Sequence, residues 1–502
     1  HIVATVPGGA RAIQDIYPLA PLQEGIFFHH LLSGDRDPYL STLVLQFDAK
    51  SDMQQYWRAL GQVVQRHDAL RTAVVHEHLR EPVQVVWRSA EPVLDEVILE
   101  ADAVDPVQRL RSLATQRHPN MPLDRAPLLR GIAAGNPVDK SWYLLLLSHH
   151  LTSDHSTLET INAEIAVLRA NPDAGLPAPV PFRRLVVHAL DPAARASHAA
   201  FFQAMLADID EPTAAYGLLD VRGDGIGNVA HSEPLDAQLL ERLRGVSRQL
   251  QVSSASVLHL AFAALLARLA GKLDVVFGTV VLGRLSGADS AGKVVGPSIN
   301  TLPLRVALRD QSVTSGLRAM YRSLTELMRH EQASLALAQR CSSIPAPAPL
   351  FTALLNYRHN VRGAASAAPA GVRICLAEER TNYPLAVVVD DDEASLGITI
   401  DANAALDARS LWRMLHHTLV QLIGALESQP ELGIEQLEVL SSEEQEQALR
   451  YARGAITPAA DELALHELFE QRAAQAGGSV ALLQGERTMS YAELDRRSSE
   501  LA

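Results

Sequence analysis

Trp142-Tyr-Leu-Leu-Leu-Leu-Ser-His149-His150-Leu-Thr-Ser-Asp154-His155 is the stretch from which the fold can be read. Six largely apolar side chains in a row, ended by an abrupt polar run, describe a fully buried strand that delivers its last residues into a loop. The segment that follows carries Leu158, Ile161, Ile165 and Leu168 at helical spacing, so the loop is clamped between a core strand and a helix. Three imidazoles and one carboxylate are dense ionisable chemistry for the edge of a hydrophobic core. Adjacent strand-end histidines point different ways, so one is expected to face a cleft and the other to pack.

Outward from this stretch, both halves of the chain mix amphipathic helices with near-continuous strands. In the first half, Leu40 to Phe47 is a strand, Asp52 to Val64 a helix and Val104 to His118 another, with a hairpin expected about Asn136-Pro137. Residues 1 to 11 read as a loose lead-in because Pro-Gly-Gly breaks any element there. In the second half, Ser254 to Ala270 is apolar on most faces and reads as a sandwiched helix. Asp274 to Val280, Leu350 to Tyr357 and Leu385 to Asp390 are strands, and a helix from Ser410 to Glu427 closes the unit. The pattern gives an α/β class with two sandwich lobes side by side, with chemistry expected where they meet. The lobes span 12–181 and 182–435. A charged linker covers 436–462, and 463–502 reads as the cut-off start of a further domain.

The 502 residues exceed what one core usually supports. A formal charge of −14 argues against a general nucleic-acid role, which needs a concentrated basic surface. Two cysteines, Cys341 and Cys375, are too few for a disulfide scaffold or a thiolate-rich metal site. No run of eighteen apolar residues and no signal peptide is present, so a cytoplasmic, membrane-free protein is expected. The opening at His1 suggests a piece of something larger.

Histidine accepts and returns protons near working pH, which makes the histidine loop the candidate site. Asp154 either orients an imidazole or locks to an arginine, with Arg66 and Arg71 as the candidates. A metal site is the first rival. The spacing of His149, His150, Asp154 and His155 is not the helical arrangement of zincins, so no metal is assigned. No Gly-x-Ser-x-Gly elbow, Walker sequence or dinucleotide fingerprint occurs. The bland alternative is a core loop whose histidines only satisfy hydrogen bonds.

At His149-His150-Leu-Thr-Ser-Asp154-His155 the chain resembles the condensation domains of nonribosomal peptide synthetases, whose hallmark is HHxxxDG. Tyr17-Pro-Leu-Ala-Pro-Leu-Gln-Glu-Gly, Arg66-His-Asp-Ala-Leu-Arg-Thr, Val295-Gly-Pro-Ser-Ile-Asn-Thr-Leu-Pro-Leu-Arg and Leu354-Leu-Asn-Tyr-Arg-His look like its other signature stretches, in the family's order. The resemblance covers about 12 to 435. From Leu465 the chain looks like the first residues of an adenylation domain, without its ATP-binding core.

The resemblance implies two chloramphenicol-acetyltransferase-like lobes in a V-shaped pseudo-dimer around a central tunnel. Donor and acceptor carrier proteins would bring thioesters tethered through 4'-phosphopantetheine to the two mouths, and the domain itself would bind no cofactor. An adenylation domain would follow downstream, and the excised domain would be monomeric. By the same resemblance His150 holds the catalytic position, with His149 and Asp154 mainly structural. Ser298, Asn300 and Asn356 are candidates for lining the tunnel. His155 stands where the family prefers glycine, and Ser298 where many relatives carry phenylalanine. Gly25-Ile-Phe-Phe-His29-His30-Leu31-Leu-Ser-Gly-Asp-Arg-Asp37 resembles the extra motif of dual epimerisation/condensation domains, with Arg36 where glycine is expected. The expected activity is amide formation between two carrier-bound substrates, with or without prior epimerisation of the donor Cα. A starter domain N-acylating the first amino acid with a fatty acyl donor, and a noncatalytic carrier-docking domain, are the alternatives.

Overall fold

The apolar run becomes a strand, Trp142–His149, at the middle of a five-stranded sheet. The protein is described here from a computed structural model, in which all residues are described except 33–36, 38, 100–104, 119, 222–226, 283–293, 346, 360–370, 379–380, 393 and 454–463. The first half supplies β1 (Ile13–Pro18), β2 (Leu40–Phe47), β3 (Thr72–Val75), β4 (Val83–Trp87), β5 (Val93–Ile98), β6 (Leu129–Gly135) and β7 (Trp142–His149). The second half supplies β8 (Val229–Pro234), β9 (Asp274–Leu282), β10 (Ile299–Ala307), β11 (Ala353–His359), β12 (Val372–Glu378), β13 (Leu385–Asp391) and β14 (Leu396–Ala402).

The run at 142–147 is continuous rather than alternating because both faces of β7 are covered. Leu144 and Leu146 pack with Val63 and Val64 of helix Lys50–Arg66 and with Ile161 and Ile165 of helix His155–Ala170. Tyr143, Leu145 and Leu147 face the other way, onto Ile26, Phe27, Leu110 and Ala114. The sheet runs β12-β2-β7-β6-β5, and only the β5–β6 pair is parallel. A small antiparallel sheet, β1-β4-β3, lies beside it in sequence.

The second large sheet has the order β10-β9-β11-β13-β14-β8. Helix Ser254–Ala270 is its core element, buried at every position from Ser256 to Ala267, and helix Ala408–Ser428 contributes Leu411, Leu415, Leu419 and Leu422 to the same cluster. No single helix among the described residues is long and apolar enough to cross a membrane.

Three details depart from the sequence-based expectation. The division at 181/182 is crossed by β12, which pairs antiparallel with β2 and forms the edge of the first sheet. The first eleven residues are not a loose lead-in, because a short helix Ile2–Thr5 seats buried Val6 against Val75, Val85 and Trp87. Within the stretch expected as a charged linker, 436–462, a helix runs from Ser442 to Arg453 and belongs to a second compact unit, Leu440–Ala502, distinguished from His1–Val439. That unit holds helix Ser442–Arg453, helix Leu465–Ala476, an antiparallel hairpin of β15 (Val480–Gln484) and β16 (Arg487–Ser490), and helix Tyr491–Leu501.

Candidate active site

Helix His155–Ala170 begins where β7 has just ended, and Asp154 is its N-cap, accepting the Thr157 amide at 2.8 Å. The cap fixes the path of the residues between strand and helix. His149 closes β7 and is fully buried, while His150 is half-buried and lines a cavity. The His150 amide donates to the Tyr39 carbonyl, anchoring the turn to the start of β2.

The ring of His150 has a defined tautomer. Its Nδ1 lies 3.2 Å from the Ser153 carbonyl oxygen, which can only accept, so Nδ1 carries the proton. In the neutral ring Nε2 therefore holds the lone pair, and the Ser41 hydroxyl donates to it at 2.9 Å. Tyr39 sets its ring edge-on to the same imidazole, with centroids 6.4 Å apart.

His149 is held the opposite way round. The Leu151 amide donates to its Nδ1 at 3.1 Å, so Nε2 bears the proton and donates to Asp37 Oδ2 at 2.7 Å. His30 Nδ1 approaches the same oxygen at 2.5 Å, and the Tyr39 amide donates to Oδ1. Burial alone would raise the Asp37 pKa, but the hydrogen bonds from His149 and His30 outweigh it and hold the carboxyl well below its ordinary value. Burial pushes His149 down, with Asp37 opposing. His30, Asp37 and His149 present ligand-type atoms within 4.8 Å of one another. Because His149 Nε2 carries a proton rather than a free lone pair, the trio as arranged is a hydrogen-bond cluster and not a metal cage.

The loop is also clamped to the second half of the chain. Asp154 Oδ2 accepts the Ser298 amide at 2.7 Å, the Ser298 hydroxyl at 3.0 Å and the Ile299 amide at 3.2 Å. Thr157 Oγ1 donates to the Gly296 carbonyl at 2.9 Å and accepts the Gly296 amide at 3.0 Å. Gly296 has φ +135°, and a Cβ there would stand 2.4 Å from the Phe182 ring. The Phe182 amide is in turn taken by Asp68. Three of the sequence motifs thus converge on one joint.

A cavity of about 240 Å³ opens at His150. One part of its lining comes from Pro21, Leu22, Gly25 and Ile26 of helix Pro21–Leu32, with Tyr39; another comes from β9, β10, β11, β13 and β14, including Asn300, Leu354 and Asn356. A wider depression of about 630 Å³ along helix Ala237–Leu250 takes no residue from the histidine loop.

The remaining sequence candidates fall as follows. Neither arginine considered for Asp154 reaches it: Arg66 binds Glu164 at 3.1 and 3.2 Å, and Arg71 donates to Gln14 and to the Trp87 carbonyl. Both guanidinium groups are committed to partners within the first half of the chain. Ser298 faces Asp154, and its neighbours Pro297 and Ile299 line the cavity instead. The Asn300 side chain lines it while donating to the Glu331 and Ala333 carbonyls. His155 is the first residue of a right-handed helix, a conformation open to any L-residue, so glycine's freedom is not needed there. The side chains of His155 and His29 lie outside the described residues. Sequence reasoning missed Ser41, whose role depends on β2 lying beside β7. It also missed Gln23, buried in the Tyr17 motif, whose Nε2 donates to the Leu151 carbonyl and the Gln84 side chain. No signal in the residue string marks the second, since Gln23 stands beside the equally polar Glu24 in the first turn of its helix.

The condensation-domain family profile matches residues 13–449. Malpinin synthetase of Mortierella alpina is 42% identical over 507 residues, covering 100% of this chain and 6% of that protein. Malpibaldin synthetase of the same organism is 39% identical over 503 residues, covering 100% of this chain and 9% of that protein. The chain thus spans less than a tenth of the length of these relatives. Among solved structures, the first condensation domain of the calcium-dependent antibiotic synthetase, in complex with a substrate analogue, superposes with a TM-score of 0.67 at 19% identity, covering 85% of this chain and 100% of that one. The four-domain nonribosomal peptide synthetase AB3403 gives 0.74 at 15% identity, over 96% of this chain and 38% of that one. These likenesses establish an α/β fold of the condensation-domain type. With the family profile spanning both large sheets and the histidine loop between them, this chain belongs to the condensation-domain family of nonribosomal peptide synthetases.

Proposed function

We propose that this domain joins a donor acyl or peptidyl thioester to the amine of an acceptor aminoacyl thioester, both tethered through 4'-phosphopantetheine to carrier proteins. The observation that carries the reading is the placement of His150: its Nδ1 is fixed on the Ser153 carbonyl, its Nε2 takes the Ser41 hydroxyl, which an incoming amine would displace, and its side chain lines a cavity walled from both halves of the chain. The acceptor nitrogen attacks the donor carbonyl carbon, a C–N bond forms, and the C–S bond breaks. The amine proton passes to Nε2, and the departing thiolate takes it up as a pantetheine thiol. Holding both reactants on tethers supplies the entropic advantage of an intramolecular reaction. In this reading the cavity is the midpoint of a passage between two lobes arranged as a V. The second unit is the beginning of an adenylation domain; Leu465, Leu483 and Leu501 are 88%, 72% and 89% exposed, apolar surface that a continuing domain would cover.

The test is amide formation from two loaded carrier proteins. The substitution His150→Ala should lower turnover by about a hundredfold or more while leaving the folded spectrum unchanged. Undiminished turnover by that variant would remove the assignment.

The dual epimerising version has one observation in its favour. His30 and Asp37 of the extra motif are wired to His149, so that motif meets the main histidine motif through a shared carboxylate. Neither side chain lines the cavity, so His150 would be the base for both the Cα proton and the amine. Loading an L-configured donor and reading the product's stereochemistry decides the matter: a retained L centre rejects epimerisation. A fatty acyl donor in the same assay tests the starter version.

A further inference from the structure

One acidic side chain in the cavity wall has no task in the condensation reaction. Along β14, Leu396, Ile398, Ile400 and Ala402 are buried in the core, and Asp401 points to the other face of the sheet, where it lines the cavity. It lies in one rung with Gly278, Leu354, Ala386 and Ala230 of the neighbouring strands, so it is the single ionisable group in a row of apolar or small residues. Its Oδ1 is buried and makes no hydrogen bond among the described residues. Burial pushes the Asp401 carboxyl upward, and the nearby Asn228 amide only partly offsets this. No lysine or arginine lines the cavity among the described residues.

A buried carboxylate oxygen left without a donor is costly, and a ligand that donates to it from the cavity would offset that cost. The reactants can bring two kinds of cation. One is the attacking α-amine, but a carboxylate pairing would hold it protonated and oppose attack. The other is a side-chain cation, which a carboxylate can hold without touching the reaction. We infer that Asp401 is a specificity residue that receives the ammonium or guanidinium side chain of one of the two tethered aminoacyl groups. The inference deepens the condensation reading and rests on it for the identity of the cavity.

The experiment compares ornithyl and norvalyl thioesters, which differ in a terminal amine but little in length, loaded first on the donor and then on the acceptor carrier. In one of the two positions the wild-type chain should favour ornithyl over norvalyl by about tenfold or more in kcat/KM, and D401N should erase that preference. Equal kcat/KM for the two in both positions, or a preference that persists in D401N, overturns the inference. Calorimetric binding of the ornithine and norvaline amides of aminopantetheine, in which an amine replaces the thiol, gives a readout independent of turnover. The ornithine amide should bind the wild-type chain about tenfold tighter than D401N, with the norvaline amide unaffected. Equal binding of the ornithine amide to both proteins also overturns it. Absence of amide product from every wild-type pair would strike the condensation reading alone, and the binding arm would still decide the role of Asp401.

Discussion

Asp154 and Ser298 are joined twice, through the serine amide at 2.7 Å and its hydroxyl at 3.0 Å, although they lie 144 residues apart. With the Thr157 cap and the Ile299 amide, one carboxylate sets both the start of a helix in one half and the lead into β10 in the other. In D154A the amides of Thr157, Ser298 and Ile299 lose this acceptor. Each buried unsatisfied donor costs about 1–3 kcal/mol, so a total of about 3 kcal/mol or more is expected. S298A removes the hydroxyl's bond to Asp154 but keeps the amide's, and should cost about 1 kcal/mol. Denaturant unfolding of both variants measures this, and a D154A chain as stable as wild type would refute the clamp.

Ser41 bonds His150 and does not line the cavity at it, so in the proposed reaction it would act through the imidazole. S41A should lower kcat by about threefold to tenfold, the worth of one ordinary hydrogen bond, with KM unchanged. S41T should restore most of it. Steady-state kinetics with loaded carriers provides the check; a rise in KM at constant kcat would mean that Ser41 contacts substrate instead.

His259 is buried between the Ala255 carbonyl and the Thr279 hydroxyl, and burial pushes its pKa down to about 4. Below an unfolded value of about 6.5 the unfolded chain takes up this proton and the folded chain does not. Stability is therefore lost as pH falls from about 6.5 to about 4, by roughly 3 kcal/mol from this group. His149, also pushed down, adds a loss of the same sign. Asp37, held below its ordinary value, adds stability that is present above about pH 4 and lost as pH falls further. Unfolding free energies measured from pH 7 to 4 should fall less steeply in H259L than in wild type; identical slopes would exclude the histidine.

Gly296 combines a left-handed φ of +135° with the Phe182 ring against its missing side chain. G296A therefore meets both backbone strain and a collision, and should lose about 2 kcal/mol or more. Its peptide groups also bind Thr157, so amide formation should fall together with stability. An alanine variant with wild-type melting would show that the joint gives way freely.

Much of the architecture was legible because it is local. The uninterrupted run at 142–147 announces a strand covered on both faces, and neighbouring strand residues diverge, which separates buried His149 from cavity-lining His150. The partners of these residues were not legible, since pairing depends on sheet order. Ser41 meets His150 across 109 residues because β2 lies beside β7. Neither Arg66 nor Arg71 meets Asp154, which accepts the Thr157, Ser298 and Ile299 amides and the Ser298 hydroxyl, and amides are invisible in a residue string. Asp401 carries no mark in the residue string, because its position beside a cavity follows from which face of the sheet β14 turns to it.

The strand exchange at β12 bears on how such proteins can be recombined. Having built the second sheet through β11, the chain returns to lay β12 along β2 before β13 resumes the second sheet. A hybrid made by grafting residues 182–435 from a relative would carry a foreign edge into the first sheet, six of whose residue pairs with β2 would have to match in register. A break between the halves would equally leave β2 with a row of open backbone groups, inviting adventitious pairing. Successful chimaeras should therefore exchange the histidine-bearing lobe together with β12, or neither.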